Sequence, residues 1–263
     1  MKIATWNVNS LRVRLPVVLD WLAANQPDVL ALQETKLTDA DFPVDAIRAA
    51  GYQACYSGQK TYNGVALLTR RPVEAVVSAF PDYPDPQKRL LAASLGGYRL
   101  INVYIPNGSE TGSDKYAYKL EWLEQLAGFI AAERQHGQPL ILMGDFNIAP
   151  EDRDVYDPVA WGDAILCSPP ERAGFTRLLQ CGLVDAFRLF DQPDQSYSWW
   201  DYRMQAFRRK RGLRIDHLLI DQCLTAVCTG CYIDTGPRQL ERPSDHAPVI
   251  LELATPDGEL PWA

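Results

Sequence analysis

Short apolar runs recur along the chain and are separated by stretches with helical periodicity. Two of the runs, 29–32 and 140–143, are apolar at every position, which is typical of strands covered on both faces. The pattern predicts strands over 2–8, 28–33, 64–69, 98–105, 140–146, 214–220, 224–233 and 247–253.

Three stretches have the spacing of amphipathic helices. The first has an apolar face of Leu15, Val18, Leu19 and Leu22, with Pro16 predicted in its first turn. The second has an apolar face from Tyr116 to Ile130 and is predicted to end before Gly137. A third is predicted from Pro170 to Gln180, followed by Gly182.

The domain organisation follows from this mixture of strands and helices. No Ser- or Gly-rich linker divides the chain, and it contains no internal repeat. We therefore predict one α/β domain over residues 1–263, with sheets at the centre and helices outside. The 263 residues, 47% of them hydrophobic, are enough to bury a large core.

Composition limits the compartment and the redox chemistry. The first residues lack a basic leader followed by an apolar stretch, and no apolar run approaches the roughly 18 to 20 residues of a membrane helix. We expect a soluble, cytoplasmic protein that binds no membrane. Cys228 and Cys231 have the spacing of half a zinc site, but no second pair lies nearby. On a strand they would point to opposite faces, so we interpret them as ordinary thiols.

The charge distribution is uneven. The net charge of −7 argues against a nucleic-acid partner. Yet six cations lie within twelve positions: Arg203, Arg208, Arg209, Lys210, Arg211 and Arg214. Such a run is usually a solvated loop, but its place just before Asp216 favours a loop that binds phosphates.

Polar side chains close several of the predicted strands. Asn7 ends the first, Glu34 follows the second, and Tyr104 lies near the end of another. Asp145 and Asn147 end the run that begins at Leu140. A carboxylate at the end of a buried strand needs water or a cation to compensate it, and hard oxygen ligands suit Mg²⁺. Side by side, these strand ends would form a metal-binding rim.

A second set of polar residues lies near the C-terminus. Asp216 stands in an otherwise apolar run, where an unpaired carboxylate is costly. The chain has three histidines, and His246, in Ser244-Asp245-His246, is the obvious partner. We predict that Asp216 holds the His246 imidazole in one tautomer and favours its charged form.

Each of these residues also has an ordinary structural interpretation. Asn7 could be a strand-end hydrogen bonder, Glu34 a surface charge and Tyr104 a core residue. Asp145 and Asn147 could form an Asx turn, and residues 244–246 a loop cap. Their joint order and placement favour a catalytic site.

Several sequence blocks resemble the signatures of the exonuclease III family, within the endonuclease/exonuclease/phosphatase superfamily. Gly-Asp-Phe-Asn and Ser-Asp-His occur across the superfamily, whereas Gln-Glu-Thr-Lys, Gly-Leu-Arg-Ile-Asp and Tyr-Ile-Pro-Asn-Gly are more particular to its DNA-repair branch. The blocks run in family order and cover nearly the whole chain: 6–12, 32–36, 63–66, 104–108, 144–147, 212–216 and 244–248.

The resemblance implies a four-layered α/β sandwich similar to DNase I, with two packed mixed sheets flanked by helices. It implies that Glu34 is the principal Mg²⁺ ligand, with Asn7 and Asp245 nearby; Mn²⁺ is expected to substitute. Asp145 would activate or orient the attacking water, and Asn147 would help to position it. If two metals act, Asp145 and Asn147 are the expected second ligands. His246, paired with Asp216, would stabilise the scissile phosphate, and Tyr104 would contact phosphate or aid the attack.

The same resemblance gives the basic segment a role. Residues 197–203 are similar to an aromatic loop with which family members line a pocket for an extruded abasic sugar and probe the duplex. The expected pocket wall is Trp199, Leu213 and Ile215, although each could equally be a core residue. The expected DNA-binding residues are Cys167, Trp199, Trp200, Arg203, Arg208, Lys210, Leu213 and Ile215.

The chain departs from the family pattern at Cys167, which stands where many abasic-site endonucleases have glycine. A side chain there would narrow the space beside the lesion. We therefore expect weaker incision of abasic sites than trimming of 3′ ends, by exonuclease or 3′-phosphatase activity. The predicted substrate is double-stranded DNA with abasic sites, nicks or blocked 3′ ends. The resemblance also implies a monomer of the bacterial type, associated with the nucleoid during repair.

The sequence allows two other functions. The superfamily also contains phosphoesterases of inositol phosphates and lipids, which share Glu34, Asp145 and His246. The chain could instead be a catalytically inactive DNA-binding scaffold. The DNA-branch blocks and the aromatic, basic loop argue against the first, and the full set of catalytic positions argues against the second.

Overall fold

Twelve strands form two six-stranded sheets in the part of the chain that the computed structural model describes, residues 1–254. The first sheet has the order β11-β12-β1-β2-β4-β3 and the second β5-β6-β7-β8-β10-β9. Their bounds in chain order are β1 Lys2–Asn7, β2 Val29–Gln33, β3 Gln53–Ser57, β4 Val65–Thr69, β5 Glu74–Val77, β6 Leu90–Leu95, β7 Tyr98–Tyr104, β8 Leu140–Asp145, β9 Leu183–Asp185, β10 Asp216–Asp221, β11 Cys228–Ile233 and β12 Val249–Leu253.

The strand pairing makes both sheets mixed. Strands β1 and β2 are parallel in the first sheet, and β7 and β8 are parallel in the second. The remaining neighbours are antiparallel. Each sheet therefore contains one pair of strands whose carboxyl ends lie side by side.

Helices cover the outer face of each sheet. Their bounds are α1 Leu11–Asn25, α2 Val44–Ala49, α3 Asp114–Glu133, α4 Pro158–Trp161 and α5 Pro169–Gln180. Helices α1 and α2 share an apolar cluster with the outer face of the first sheet. Helices α3 and α5 share another with the outer face of the second sheet. The predicted four-layered α/β sandwich is confirmed.

The inner faces of the two sheets meet in a third apolar cluster, which strand alternation requires. Ile3 and Leu67 of the first sheet lie there with Ile141 and Leu218 of the second. This packing turns the carboxyl ends of both parallel pairs toward the same edge of the sandwich.

A small polar network crosses this apolar layer near that edge. The Gln33 side-chain amide donates to Thr5 Oγ1 at 2.8 Å and to Asn102 Oδ1 at 2.7 Å. Asn102 donates in turn to the backbone carbonyls of Leu32 and Ala66. Since these groups are buried, their bonds set the register of one sheet against the other.

The position predicted for Pro16 was wrong. Helix α1 begins at Leu11, so Pro16 lies in its second turn. The start is set by backbone hydrogen bonds from Ser10 to Glu34 O and from Leu11 to Thr35 O, which tie the helix to the segment after β2. Pro16 is exposed, so water can satisfy the Arg12 carbonyl that loses its helical donor.

The segment 224–233 also differs from its prediction. Residues Gln222–Val227 form a 3₁₀ helix, and the strand begins at Cys228. A register shift between Cys228 and Gly230 changes which side chains of β11 point to each face of the sheet. Cys228 and Cys231 consequently both contact the layer between the sheets, instead of opposite faces. All six cysteines are free thiols, and the interpretation of Cys228 and Cys231 as ordinary thiols is confirmed.

Among residues 1–254, no helix has the length and hydropathy needed to span a membrane.

Candidate active site

Asn7 joins the two sheets at the edge where the parallel strands end. Its side-chain amide donates to Glu34 Oε1 at 2.9 Å and to Asp145 Oδ2 at 2.8 Å. Glu34 follows β2 in the first sheet, whereas Asp145 ends β8 in the second. Two carboxylates from different sheets therefore face one nitrogen, and the predicted rim of strand ends is present.

Glu34 is surrounded by donors. The Tyr104 hydroxyl donates to its Oε1 at 2.9 Å, and Lys36 Nζ lies 2.8 Å from its Oε2. Burial by itself would raise the pKa of Glu34, but Lys36 and the Asn7 amide hold that pKa below its ordinary value. Glu34 is thus ionised at neutral pH. Its φ of 50° aims the side chain at the rim instead of continuing the strand.

Tyr104 closes β7 directly beside Asp145, its partner in the parallel register. The Arg89 guanidinium lies 4.6 Å from the centroid of its ring. Burial, together with the nearby Glu34 and Asp145, raises the pKa of the hydroxyl well above 10.0. Tyr104 is therefore a hydrogen-bond donor at the site.

Asp145 and Asn147 form the Asx-type turn that the sequence allowed, and both also face the site. The backbone N–H of Asn147 donates to Asp145 Oδ1 at 2.9 Å. Asn147 has a φ of 51°, and its side chain donates to Ile105 O and accepts from Asn107. Burial raises the pKa of Asp145, against the opposing effect of His246.

The predicted pair of Asp216 and His246 is confirmed. His246 Nδ1 lies 2.8 Å from Asp216 Oδ2 and 3.1 Å from Oδ1, and its Nε2 lies 3.7 Å from Asp145 Oδ2. Burial by itself would lower the pKa of His246, but the carboxylates of Asp216 and Asp145 raise it to about 10. The ring is therefore an imidazolium at neutral pH, with Nδ1–H donated to Asp216.

Asp245 lies between the first sheet and the aromatic loop. Its Oδ1 accepts from Asn9 at 2.9 Å, and its Oδ2 accepts from the Trp199 indole at 3.0 Å. Burial would raise its pKa, but His246 and these two donors hold the pKa below its ordinary value. Both oxygens are thus oriented by protein donors.

The aromatic, basic loop borders the site next to Trp199. Arg208, Arg209, Lys210 and Arg211 are exposed. Arg203 is exposed as well and is paired with Asp201 at 2.7 Å. A cavity of about 290 Å³ lies under the loop and is lined by Tyr156, Trp161, Trp199, Asp201, Arg203, Met204, Ala206 and Arg211. Cations and ring faces there are available to a large anionic ligand.

Cys167 and two residues of the predicted pocket wall, Leu213 and Ile215, lie too deep to contact a ligand. All three are buried in one apolar cluster, with Trp199 packed against it. Trp199 is therefore the partly exposed member of the predicted wall, and the other three residues support it from behind.

Trp200 is not on the surface of the loop, which corrects its predicted direct contact with DNA. It is 4% exposed, stacks edge-on with Phe207 at 5.0 Å and packs in an apolar cluster with Tyr197 and Ala206. Trp199 and Trp200 point to opposite sides of the chain because the segment is extended. Trp200 anchors the base of the loop.

Four residues in contact with this set had no role assigned from the sequence. Asn9 and Lys36 orient Asp245 and Glu34, and Asn107 donates to Asn147 Oδ1 at 3.0 Å. Ser198 donates to Asp216 Oδ2 at 2.6 Å and accepts from the backbone N–H groups of Ile215 and Asp216. Asn9, Lys36 and Asn107 lie inside the signature blocks, and Ser198 lies inside the segment 197–203 that resembles the aromatic loop; these positions were the signals available in the sequence.

One group of potential metal ligands stands out among the described residues. Ligand atoms of Asp145, Asp216 and His246 all lie within 4.8 Å of one another. His246 already uses Nδ1 to bind Asp216, so this group is a hydrogen-bonded cluster. The adjacent Asn7, Glu34 and Asp145 offer oxygen atoms, the donor type that Mg²⁺ prefers.

The arrangement of ionised acids, an imidazolium and strand-end amides defines a hydrolase site for phosphate esters. Residues 4–246 match the model of the Endonuclease/Exonuclease/phosphatase family, and the chain belongs to that family. Its similarity over nearly its full length to two exodeoxyribonucleases and to a protein named a DNA repair nuclease identifies it as a DNA-repair nuclease.

Three similarities illustrate this assignment. The chain is 38% identical to exodeoxyribonuclease III of Haemophilus influenzae, over 96% of this chain and 100% of that protein. The structure of a 3′ phosphatase from Neisseria, bound to a product DNA hairpin, is 47% identical with a TM-score of 0.95, covering 97% of this chain and all of that one. An AP endonuclease from Archaeoglobus fulgidus is 36% identical with a TM-score of 0.94 and the same coverage.

Proposed function

We propose that this protein hydrolyses phosphate esters at 3′ ends of duplex DNA, as a 3′→5′ exonuclease and 3′-phosphatase, with weaker incision at abasic sites. The observation that carries the proposal is the Asp216–His246–Asp145 cluster beside Glu34, with the aromatic, basic loop at its border. The cluster supplies the chemistry, and the loop supplies contacts to a polyanion. The 3′-phosphatase and 3′–5′ exonuclease names of the Neisseria structures support action at 3′ ends, and the AP endonuclease name of the Archaeoglobus relative supports incision at abasic sites.

The proposed residue roles follow from charge and hydrogen bonding. The His246 imidazolium neutralises charge that develops on the phosphoryl oxygens, while Asp216 keeps it charged and oriented. Asp145 takes a proton from the attacking water, whose oxygen bonds to phosphorus as the bond to the leaving oxygen breaks. Asn147 positions that water, and Tyr104 donates its hydroxyl proton to a phosphate oxygen or to Glu34.

The donor set fits a divalent cation. Glu34 and Asp145 face the same Asn7 nitrogen, and burial, with smaller effects of the Asp216 and Glu34 carboxylates, raises the pKa of Asp145. A cation at this place would favour the ionised form of Asp145. Mg²⁺ would be held by Glu34, with Asn7 and Asp245 nearby, and Mn²⁺ would substitute. When bound, the cation withdraws charge from the phosphate. In a two-metal mechanism Asp145 and Asn147 would hold the second ion.

The preference for 3′ ends rests on Cys167. Its side chain is 2% exposed and packs with Leu213 and Ile215 directly behind Trp199. A glycine at this position would leave a space into which the Trp199 ring could move, whereas the Cys167 side chain fills that space and holds the ring in place. Double-stranded DNA with nicks or blocked 3′ ends is therefore the proposed substrate, and the proposed acting form is a monomer.

A substrate panel tests the proposal. Purified protein is assayed on a 3′-phosphate nick, a recessed 3′-hydroxyl end and an abasic duplex, each with Mg²⁺, Mn²⁺ or EDTA. We expect metal-dependent hydrolysis of the first two, slower abasic incision, and loss of activity in Glu34→Ala and His246→Ala. Faster cleavage of the abasic duplex would contradict the proposed preference. Turnover of an inositol phosphate or phospholipid without activity on DNA would overturn the assignment.

A further inference from the structure

Lys119 and Glu171 form an ion pair inside the protein, behind the turn that carries Asn147. Lys119 is on α3 and Glu171 in the first turn of α5, and both side chains have 0% exposure. Removing two charges from water is costly unless every donor and acceptor finds a partner. The bonds that Lys119 and Glu171 make therefore show what the pair holds together.

The ammonium group of Lys119 uses its donors on the active-site turn. Besides Glu171, it donates to Asn147 O at 2.6 Å and to Asn107 O at 3.1 Å. The Asn107 side chain then donates to Asn147 Oδ1 at 3.0 Å. Lys119 thus fixes the backbone of Asn147 directly and its side-chain oxygen through Asn107.

The carboxylate of Glu171 binds the other flank, on both sides of Cys167. Its Oε1 accepts from Leu166 N at 3.0 Å, and its Oε2 accepts from Ser168 N at 3.0 Å and Ser168 Oγ at 2.6 Å. A backbone bond from Ala149 N to Leu166 O, 2.7 Å long, closes the connection. The ion pair therefore joins the Asn147 turn to the segment that supports the pocket wall.

The turn has a backbone conformation that few residues adopt. Asn147 has a φ of 51°, in the left-handed region where asparagine is among the few residues besides glycine that are common. In this conformation its N–H donates to Asp145 Oδ1 at 2.9 Å. A movement of the turn would therefore displace Asn147 and the carboxylate of Asp145 together.

We propose that Lys119 and Glu171 are a positioning pair for the hydrolytic reaction. By holding Asn147 O and Asn107 O, Lys119 keeps Asn147 and Asp145 in the arrangement that acts on the attacking water. Lys119 itself contacts neither substrate nor reacting atoms. The proposal rests on the nuclease function proposed above.

A variant in which both residues are uncharged distinguishes a positioning role of the pair from a merely stabilising role. Lys119→Met/Glu171→Gln removes both charges together, so that neither is left buried without its partner. We expect this variant to fold, with kcat on a 3′-phosphate nick reduced by about tenfold or more and KM changed less than about threefold. The kcat values are corrected for the folded fraction, measured by circular dichroism.

The matched control is the buried pair of Arg99 and Glu133, at the opposite end of β7 from Tyr104. Arg99→Met/Glu133→Gln should lower the melting temperature and leave kcat unchanged. If the Lys119 double variant does not fold, Lys119→Arg takes its place, since it keeps the charge but moves the donors. It should reduce kcat in the same way.

A combination with Asn147→Ala tests whether Lys119 acts through that residue. The Lys119→Met/Glu171→Gln variant placed in the Asn147→Ala background should lower kcat by a smaller factor than it does in the wild-type background, because one of the two groups being positioned, the Asn147 side chain, is already gone. Multiplicative losses, or wild-type kcat in the variant without the two charges, would overturn the inference. Inactivity of the wild-type protein on all DNA substrates would instead refute the proposed function.

Discussion

The Nδ1–H of His246 donates to Oδ2 of Asp216 across 2.8 Å, while Nε2 of the same ring lies 3.7 Å from Asp145. Asp216 also accepts from Ser198 at 2.6 Å, so its carboxylate cannot rotate away from the ring. The contact keeps the ring protonated on both nitrogens and fixes its direction. A positively charged Nε2–H consequently faces the site.

Asp216→Asn should reduce kcat on a 3′-phosphate substrate by at least about 100-fold, since an amide neither sustains the imidazolium nor fixes its tautomer. Single-turnover kinetics at pH 7.5 measure the change. Asp221→Asn, at the far end of the same strand, removes an ion pair with Arg134 and serves as the control that should retain activity. An Asp216→Asn enzyme with near wild-type kcat would contradict this role.

His217 is expected to make the protein sensitive to acid. Its Nε2–H donates to Ile148 O at 2.8 Å, and its Nδ1 accepts from Arg214 at 3.0 Å. Burial, reinforced by Arg214, lowers the pKa of His217 to about 4. The unfolded chain binds this proton near pH 6.5 and the folded chain does not, so stability is complete above that pH. It should fall by on the order of 3 kcal/mol as pH decreases from about 6.5 through 4.

Urea unfolding between pH 7.5 and 4.5 measures this dependence. His217→Gln, which can still donate to Ile148 O but does not titrate, should show a smaller loss of unfolding free energy over the same range. Parallel curves for the wild-type and variant proteins would show that His217 contributes nothing to acid sensitivity.

Cys167→Gly should raise the rate of abasic-site incision relative to hydrolysis of a 3′-phosphate, because it removes the side chain that supports Trp199. The informative quantity is the ratio of kcat/KM for the two substrates. A cost of about 1–3 kcal/mol in unfolding free energy is expected from the cavity. Cys231 is buried in a distant strand, so Cys231→Gly controls for that loss of stability. An equal change in the kcat/KM ratio of Cys231→Gly would show that support of Trp199 by Cys167 does not set the preference.

Arg208→Ala and Lys210→Ala should weaken DNA binding uniformly across sequences. Both side chains are exposed on the loop beside the site, where their charges would release counterions from DNA phosphates. Each substitution should reduce the slope of log Kd against log salt concentration by about 1. Fluorescence anisotropy from 50 to 200 mM salt measures the slope. Arg48→Ala, on the outer helix α2, should leave the slope unchanged.

The sequence by itself determined many of the strands and helices and most of the site, and the family resemblance implied the four layers. Apolar runs such as Leu140–Asp145 and the face from Tyr116 to Ile130 are local signals that burial imposes on strands and helices. Carboxylates at the ends of such runs indicate a site because an isolated buried charge is costly. The pairing of Asp216 with His246 could be predicted for the same reason, since few partners were available.

Tertiary packing decided what the local pattern left undetermined. Pro16 lies inside a helix because contacts with the segment after β2 set the start of that helix, and a bulge reversed the face of Cys228. Lys119 carried a faint signal, a lysine between Tyr116 and Leu123 on a buried helical face. Its partners, Glu171 and the carbonyls of Asn107 and Asn147, lie far away in the sequence, and only the packing of α3 against the turn brings them together.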